Sequence, residues 1–321
     1  MDKRKIKSFY TFLQSQETAQ RFLQHCYRKI QDGQDEQNSY ANCTTFMYYL
    51  DHGLTFYESG KKLSLLAQPM LFFYGMTHLL KANLLAKRPY YPESTSMLAH
   101  GVSTRKRKKK NYAFLDDEVK IQLKGLLPYA NDHLFLQKQI PFTKIKMADL
   151  LALIPELVPL FDFNHQQSLT TVGHSHSKVL RFPLTLLDTY HLTQTAFTQR
   201  LQSYLPETTA VTVDEDAIYM HLRKPINPPH IPFFWRIDDS TIHFPTYRDH
   251  FLPVSEVVIH YLLLYNLSML SRYEAGWWGE LLAFRSDMDF PLIQKFLKTT
   301  AEKIPLLLGY QLYHQWVEDQ S

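Results

Sequence analysis

The chain has 321 residues, 45% of them hydrophobic and 14% aromatic, which is enough material for two or three packed subregions and excludes a disordered or disulfide-stapled class. A net charge of +4, from 35 basic and 31 acidic side chains, is too mild to name a partner by itself. Only 10 glycines are present, and no phosphate-cradling glycine loop occurs, which argues against an ordinary dehydrogenase or ATPase.

In chain order, the start MDKRKIKSFYTF is basic but has no apolar run, so no secretory signal is expected. Cys26 and Cys43 sit in apolar contexts without a pairing signature, which suits a reducing compartment. Helical spacing runs through Phe9 to Ile30, and a polar loop follows over 31–39. A second helical stretch, about Tyr40 to Ser59, turns Phe46, Tyr49, Leu50 and Phe56 inward and is expected to end at Gly60. Leu66, Met70, Phe73, Thr77, Leu80 and Leu84 then form one stripe of a long helix, and Leu65, Phe72, Met76 and Leu79 form another. A helix apolar over most of its circumference belongs in the interior. Pro69 fits its first turn, and Pro89 and Pro92 stop it after Arg88.

What stays polar on this helix is Tyr74, His78 and Lys81, neighbours on one narrow strip. The strip is either a helix edge emerging from the core, with Tyr74 and His78 hydrogen-bonded locally, or a surface that faces the loop Met97-Leu98-Ala99-His100-Gly101. The run Arg105-Lys106-Arg107-Lys108-Lys109-Lys110 follows; six cations cannot be buried, so it is either a solvated loop tip or a phosphate-contacting surface. Short helices broken by prolines are expected between Val119 and Leu160.

The period changes after this. Thr209 to Leu222 reads as a hairpin around Asp214-Glu215-Asp216, and Phe233 to Tyr247 as a second around Asp238-Asp239-Ser240, together a small antiparallel sheet. From Pro253 the helical period returns, carrying Val254, Val258, Leu262, Tyr265, Met269 and Arg272 on one face, and it continues through a helix near 279–286 and another over 290–315, interrupted at Pro305. The expected fold is mainly α-helical α+β. An N-terminal helical region spans 1–165, a mixed region with two hairpins 166–250, and a C-terminal helical region 251–321 docks on the rest. The apolar run Val257 to Leu270 is shorter than the roughly 20 residues a membrane span needs, so a cytoplasmic protein without membrane contact is expected.

The stretches QPMLFFYGMTHLLKA (68–82) and LAHGVSTR (98–105) resemble the YaaC family of Bacillus-type bacteria, and the resemblance extends over most of the chain. More distantly, a helix ending in Lys81-Ala82, a proline-containing loop and His100-Gly101 resemble the helical HEPN superfamily. That likeness implies a HEPN-like helical core, dimerisation through helices, and nucleotides or proteins as ligands. Nuclease members carry an arginine four to six residues before the histidine, where this chain has Ser94, Thr95 and Ser96, so only His100 carries over, as the residue of an alternative metal-independent ribonuclease. YaaC-type genes often neighbour that for IMP dehydrogenase, which implies a purine-related partner.

The remaining constellations are incomplete. His174 and His176 lack further ligands for a metal, and Gly173-His174-Ser175-His176-Ser177 lacks the last glycine of a nucleophile elbow. No cofactor and no metal are expected. Tyr74, His78, Lys81, His100, Arg105 and Arg272 are candidate ligand-binding residues, able to converge on a phosphate or nucleotide. Arg105 to Lys110 are candidate nucleic-acid contacts for an RNA-binding alternative. The expected function is a non-enzymatic binding or regulatory protein acting through a protein partner or a purine nucleotide.

Overall fold

A computed structural model describes residues 2–30, 33–105, 112–163 and 167–317. The helices are α1 (Lys3–Phe12), α2 (Gln16–Arg28), α3 (Asp35–Lys62), α4 (Gln68–Lys87), α5 (Leu126–Phe135), α6 (Met147–Leu151), α7 (Val158–Asp162), α8 (Thr185–Tyr190), α9 (Gln194–Gln202), α10 (Glu256–Tyr273), α11 (Ala275–Phe284) and α12 (Asp289–Val317). The strands are β1 (Val102–Thr104), β2 (Glu118–Ile121), β3 (Lys144–Lys146), β4 (Leu169–His174), β5 (Val179–Pro183), β6 (Thr208–Val213), β7 (Ala217–Leu222), β8 (Phe234–Trp235) and β9 (Thr241–Pro245). The fold is α+β and mainly helical. None of the described helices is long and apolar enough to cross a membrane.

The chain forms two compact units: one is Ala148–Ile259, the other joins Asp2–Met147 to His260–Ser321. The region 166–250 lies within the first, and most of the N-terminal and C-terminal helical regions lies in the second.

The discontinuous unit is a helical bundle. α4 carries thirteen buried residues and is its central helix, with Phe72, Phe73, Met76 and Leu79 at most 1% exposed. It packs along α3 through two glycines. A Cβ on Gly53 would stand 2.7 Å from the Leu79 side chain and 3.2 Å from the Gly75 carbonyl, and one on Gly75 would stand 2.9 Å from the Tyr57 ring. The helices are therefore as close as their backbones permit. Gly60 does not end α3 as the sequence suggested. It lies inside the helix against the Phe72 ring, where a Cβ would meet that ring at 2.5 Å, so the absence of a side chain there serves packing rather than termination. α12 likewise runs through Pro305, whose carbonyl accepts the Tyr10 hydroxyl at 2.8 Å.

The same unit holds a sheet that periodicity did not reveal. β1, β2 and β3 are antiparallel in that order, with Ser103 opposite Lys120 and Val119 opposite Ile145. Strands of three or four residues are too short to establish a period of two, so Val119 to Ile121 reads as part of a helix-rich stretch in sequence and is a strand in the fold.

The continuous unit contains both expected hairpins, but they do not share a sheet. β8–β9 pairs with β4 and β6–β7 pairs with β5, giving the orders β4-β9-β8 and β5-β7-β6. The correction has a physical reason: the third strand of each sheet comes from the Leu169–Pro183 stretch, a non-local pairing no local pattern announces. Phe182, Tyr190, Phe197, Phe233 and Phe244 fill the core between these sheets and α8 and α9.

Candidate functional site

The site lies in the discontinuous unit, where the polar strip of α4, the outer part of α10 and the loop before β1 meet. That loop is held firmly. Leu126 N–H donates to the Ala99 carbonyl at 2.7 Å, Leu127 N–H to the His100 carbonyl at 3.3 Å, and Gln122 N–H to the Gly101 carbonyl at 2.9 Å. Gly101 has φ +78° and Gly125 φ +128°, and a Cβ on Gly125 would stand 2.4 Å from the Gly101 backbone. Only glycine meets both the conformation and the approach. The Tyr261 hydroxyl, from α10, adds a hydrogen bond to the His100 carbonyl at 2.9 Å.

The His100 ring is thereby set among aromatics, with centroids 4.9 Å from Phe73, 5.9 Å from Tyr265 and 6.2 Å from Tyr74. Burial, then the charges of Arg272 and Lys81, hold its pKa below the ordinary imidazole range. Arg272 sits on α10 with its Nε bonded to the Ser268 carbonyl at 2.9 Å and a terminal nitrogen 3.4 Å from the Tyr74 hydroxyl. The guanidinium also lies 5.2 Å from the Tyr273 ring centroid. Lys81 extends over the Tyr49 ring at 5.8 Å, and burial lowers its pKa. Both cations are half-buried, and among the described residues neither has a carboxylate partner.

His78 occupies the other end of the strip. Its ring centroid is 5.2 Å from His52, 5.7 Å from Phe56 and 6.0 Å from Tyr49, all on α3. Burial, followed by the Lys81 and His52 charges, brings its pKa down to about 4, so the ring is neutral at pH 7. Its Nδ1 is buried and has no hydrogen-bond partner among the described residues. The charge of Lys81 acts on both histidines, so the two ends share one cationic, ring-rich neighbourhood.

Of the six candidate ligand residues, Tyr74, His78, Lys81, His100 and Arg272 thus belong to one neighbourhood. Arg105 is exposed just beyond β1, and among the described residues no hydrogen bond or ion pair joins it to the other five. Lys106, Arg107, Lys108, Lys109 and Lys110 lie outside the described residues. Tyr49, His52 and Phe56 were not anticipated as site residues. Their spacing of three and four on α3 was the available signal, since it places them on one helix face. Among the described residues, no group of three or more histidine, cysteine and acidic side chains is arranged to hold a metal.

Chemically, such a cationic neighbourhood can take an anion. Half-buried cations normally acquire a carboxylate because desolvated charge without a counter-ion is costly. Here the groups that touch the cations are neutral: the Tyr49, Tyr74 and Tyr273 side chains, the Ser268 carbonyl and the Met269 sulfur. The neutral imidazoles can donate or accept a hydrogen bond, and the aromatic faces can stack on a flat ligand.

A family model described as YaaC-like Protein matches residues 11–312, so the chain belongs to the YaaC-like family. Comparison with curated proteins and with solved structures gave no match.

Proposed function

Taking membership of the YaaC-like family as premise, we propose that this protein is a non-enzymatic binding protein whose Lys81–Arg272 neighbourhood holds a phosphate-bearing small molecule, a nucleotide being the class its resemblance suggests. The observation that carries this reading is the pair Lys81 and Arg272, both half-buried and without a carboxylate partner among the described residues. A phosphate supplies the missing negative charge and accepts from the forked guanidinium and the ammonium together. Ligand occupancy then serves as a signal to a protein partner, with IMP dehydrogenase the partner suggested by the resemblance.

The test is titration calorimetry of the purified chain with mononucleotides, beside intact-RNA gels on the same sample. Saturable binding lost in Arg272→Ala, with RNA left intact, supports the reading. RNA cleavage abolished by His100→Ala in a folded protein would replace it with the ribonuclease alternative, in which neutral His100 takes a proton beside two cations.

A further inference from the structure

In the continuous unit, the sheet β5-β7-β6 ends on one side in β6, which pairs with β7 and with no other described strand. The Asp214 N–H donates to the Ala217 carbonyl at 3.1 Å, so by the alternation of a strand the backbones of Thr212 and Ala210 also face β7. Those of Val211 and Val213 face away from it. Ala210, Thr212 and Val213 are exposed, so this edge is open to solvent.

A row of unpaired backbone groups invites another strand, and edges are usually blunted by charge, proline or shortness. β3 carries Lys144 and Lys146, β5 carries Arg181 and Pro183, and β8 is only Phe234 and Trp235. β6 reads TTAVTV, with neither charge nor proline. Its register irregularity lies between Thr208 and Ala210 and leaves 210–213 regular.

Charge stands instead at the two ends of this sheet. The turn after β6 holds Asp214, Glu215 and Asp216, all exposed. Around the start of β6 lie Lys178, Arg223 and Lys224, also exposed, and Glu207 pairs with Arg223 at 2.8 Å. The complement of an edge acidic at one end and basic at the other is the same edge run backwards, which a second copy of this chain supplies.

We propose that two copies join through β6, antiparallel about a two-fold axis at Thr212, so that one sheet continues across both molecules. In that register Val211 lies opposite Val213 of the second copy. Both face outward, so the two symmetry-related pairs exchange about four backbone hydrogen bonds. Each acidic turn then lies beside the other copy's basic end, with Glu215 opposite Thr209; moving the axis to Val211 would set Glu215 against Glu207. Val211 packs on the core of its own unit, and the exposed Val213, on the same face, gains it as an apolar neighbour across the axis. The contact is made by strands, not by the helices that the distant HEPN likeness implies.

Sedimentation velocity over a concentration series, with oxidative cross-linking of cysteine variants, tests this on the whole chain. The parent is expected to pass from monomer to dimer as concentration rises. Thr212→Lys, which sets two ammonium groups face to face at the axis, should raise the dissociation constant about tenfold or more, with circular dichroism showing that the variant is folded. Thr212→Cys should give a covalent dimer under mild oxidation, because opposite residues of a non-hydrogen-bonded pair have Cα atoms about 4.5 Å apart. Ala210→Cys, exposed on the same face, should not, since its equivalent lies about 13 Å away along the strand. The native Cys26 and Cys43 are buried. A parent that stays monomeric at every concentration would overturn the proposal and leave the edge to an extended segment of another protein. A dimer that Thr212→Lys does not weaken, or equal cross-linking at both positions, would overturn it as well.

Discussion

The Arg272 guanidinium stands 3.4 Å from the Tyr74 hydroxyl and 5.9 Å from the centre of the same ring, joining the end of α10 to the polar strip of α4. A phenol positions a cation without neutralising it. The same holds for Lys81 over Tyr49, so the site keeps its positive charge.

That retained charge should cost stability. Lys81→Met removes a half-buried, uncompensated ammonium and keeps much of its apolar stem, so it is expected to raise stability by about 1 kcal/mol while weakening phosphate binding. Urea melts with and without pyrophosphate check both halves. A variant less stable than the parent would mean that Lys81 has a stabilising partner in solution.

Acid should act through the histidines. His78 titrates near 6.5 when unfolded and at about 4 in the fold. Between those values the unfolded chain binds more protons, so the stability contributed by the neutral ring is complete above about pH 6.5 and is lost as pH falls toward 4. Burial depresses His100, His133, His230 and His260 in the same direction. The urea midpoint is therefore expected to fall from pH 7.5 to pH 5, and His78→Phe to give a shallower fall. Identical slopes in the two proteins would remove His78 from this account.

The same shift predicts proton uptake on ligand binding. A phosphate beside His100 favours the charged imidazole and raises its pKa, so binding near pH 6 should take up protons. Calorimetry in two buffers of different ionisation enthalpy reads this directly, and a buffer-independent heat would place the anion away from His100.

The α3–α4 crossing tolerates no added volume. Gly75→Val is expected to destabilise the protein by about 2–3 kcal/mol, because the Tyr57 ring and the Gly53 carbonyl already stand 2.9 and 3.1 Å from a Cβ at that position. A melt unchanged within error would show that the helices are farther apart than described here.

These residues also show what a sequence can and cannot disclose. Tyr74, His78 and Lys81 were legible as a strip because helical spacing alone puts them on one side of α4. The arrival of Arg272 beside them was not, since 198 residues separate it from Tyr74 and only tertiary packing brings α10 there. Gly60 illustrates the opposite case: it has the composition of a helix end, yet packing against Phe72 keeps it helical. The hairpins around Asp214 and Asp238 were marked by their turns, whereas their assignment to separate sheets depends on pairing with β5 and β4. The β1–β3 sheet was hidden by the shortness of its strands.

The most direct test of the central claim is calorimetric titration of inorganic pyrophosphate into the parent chain, Arg272→Ala and Lys81→Met. Saturable binding by the parent, weakened at least tenfold in each variant with the fold intact, is the expected result. No binding by the parent, or equal binding by all three proteins, would contradict the assignment of Lys81 and Arg272 to an anion site.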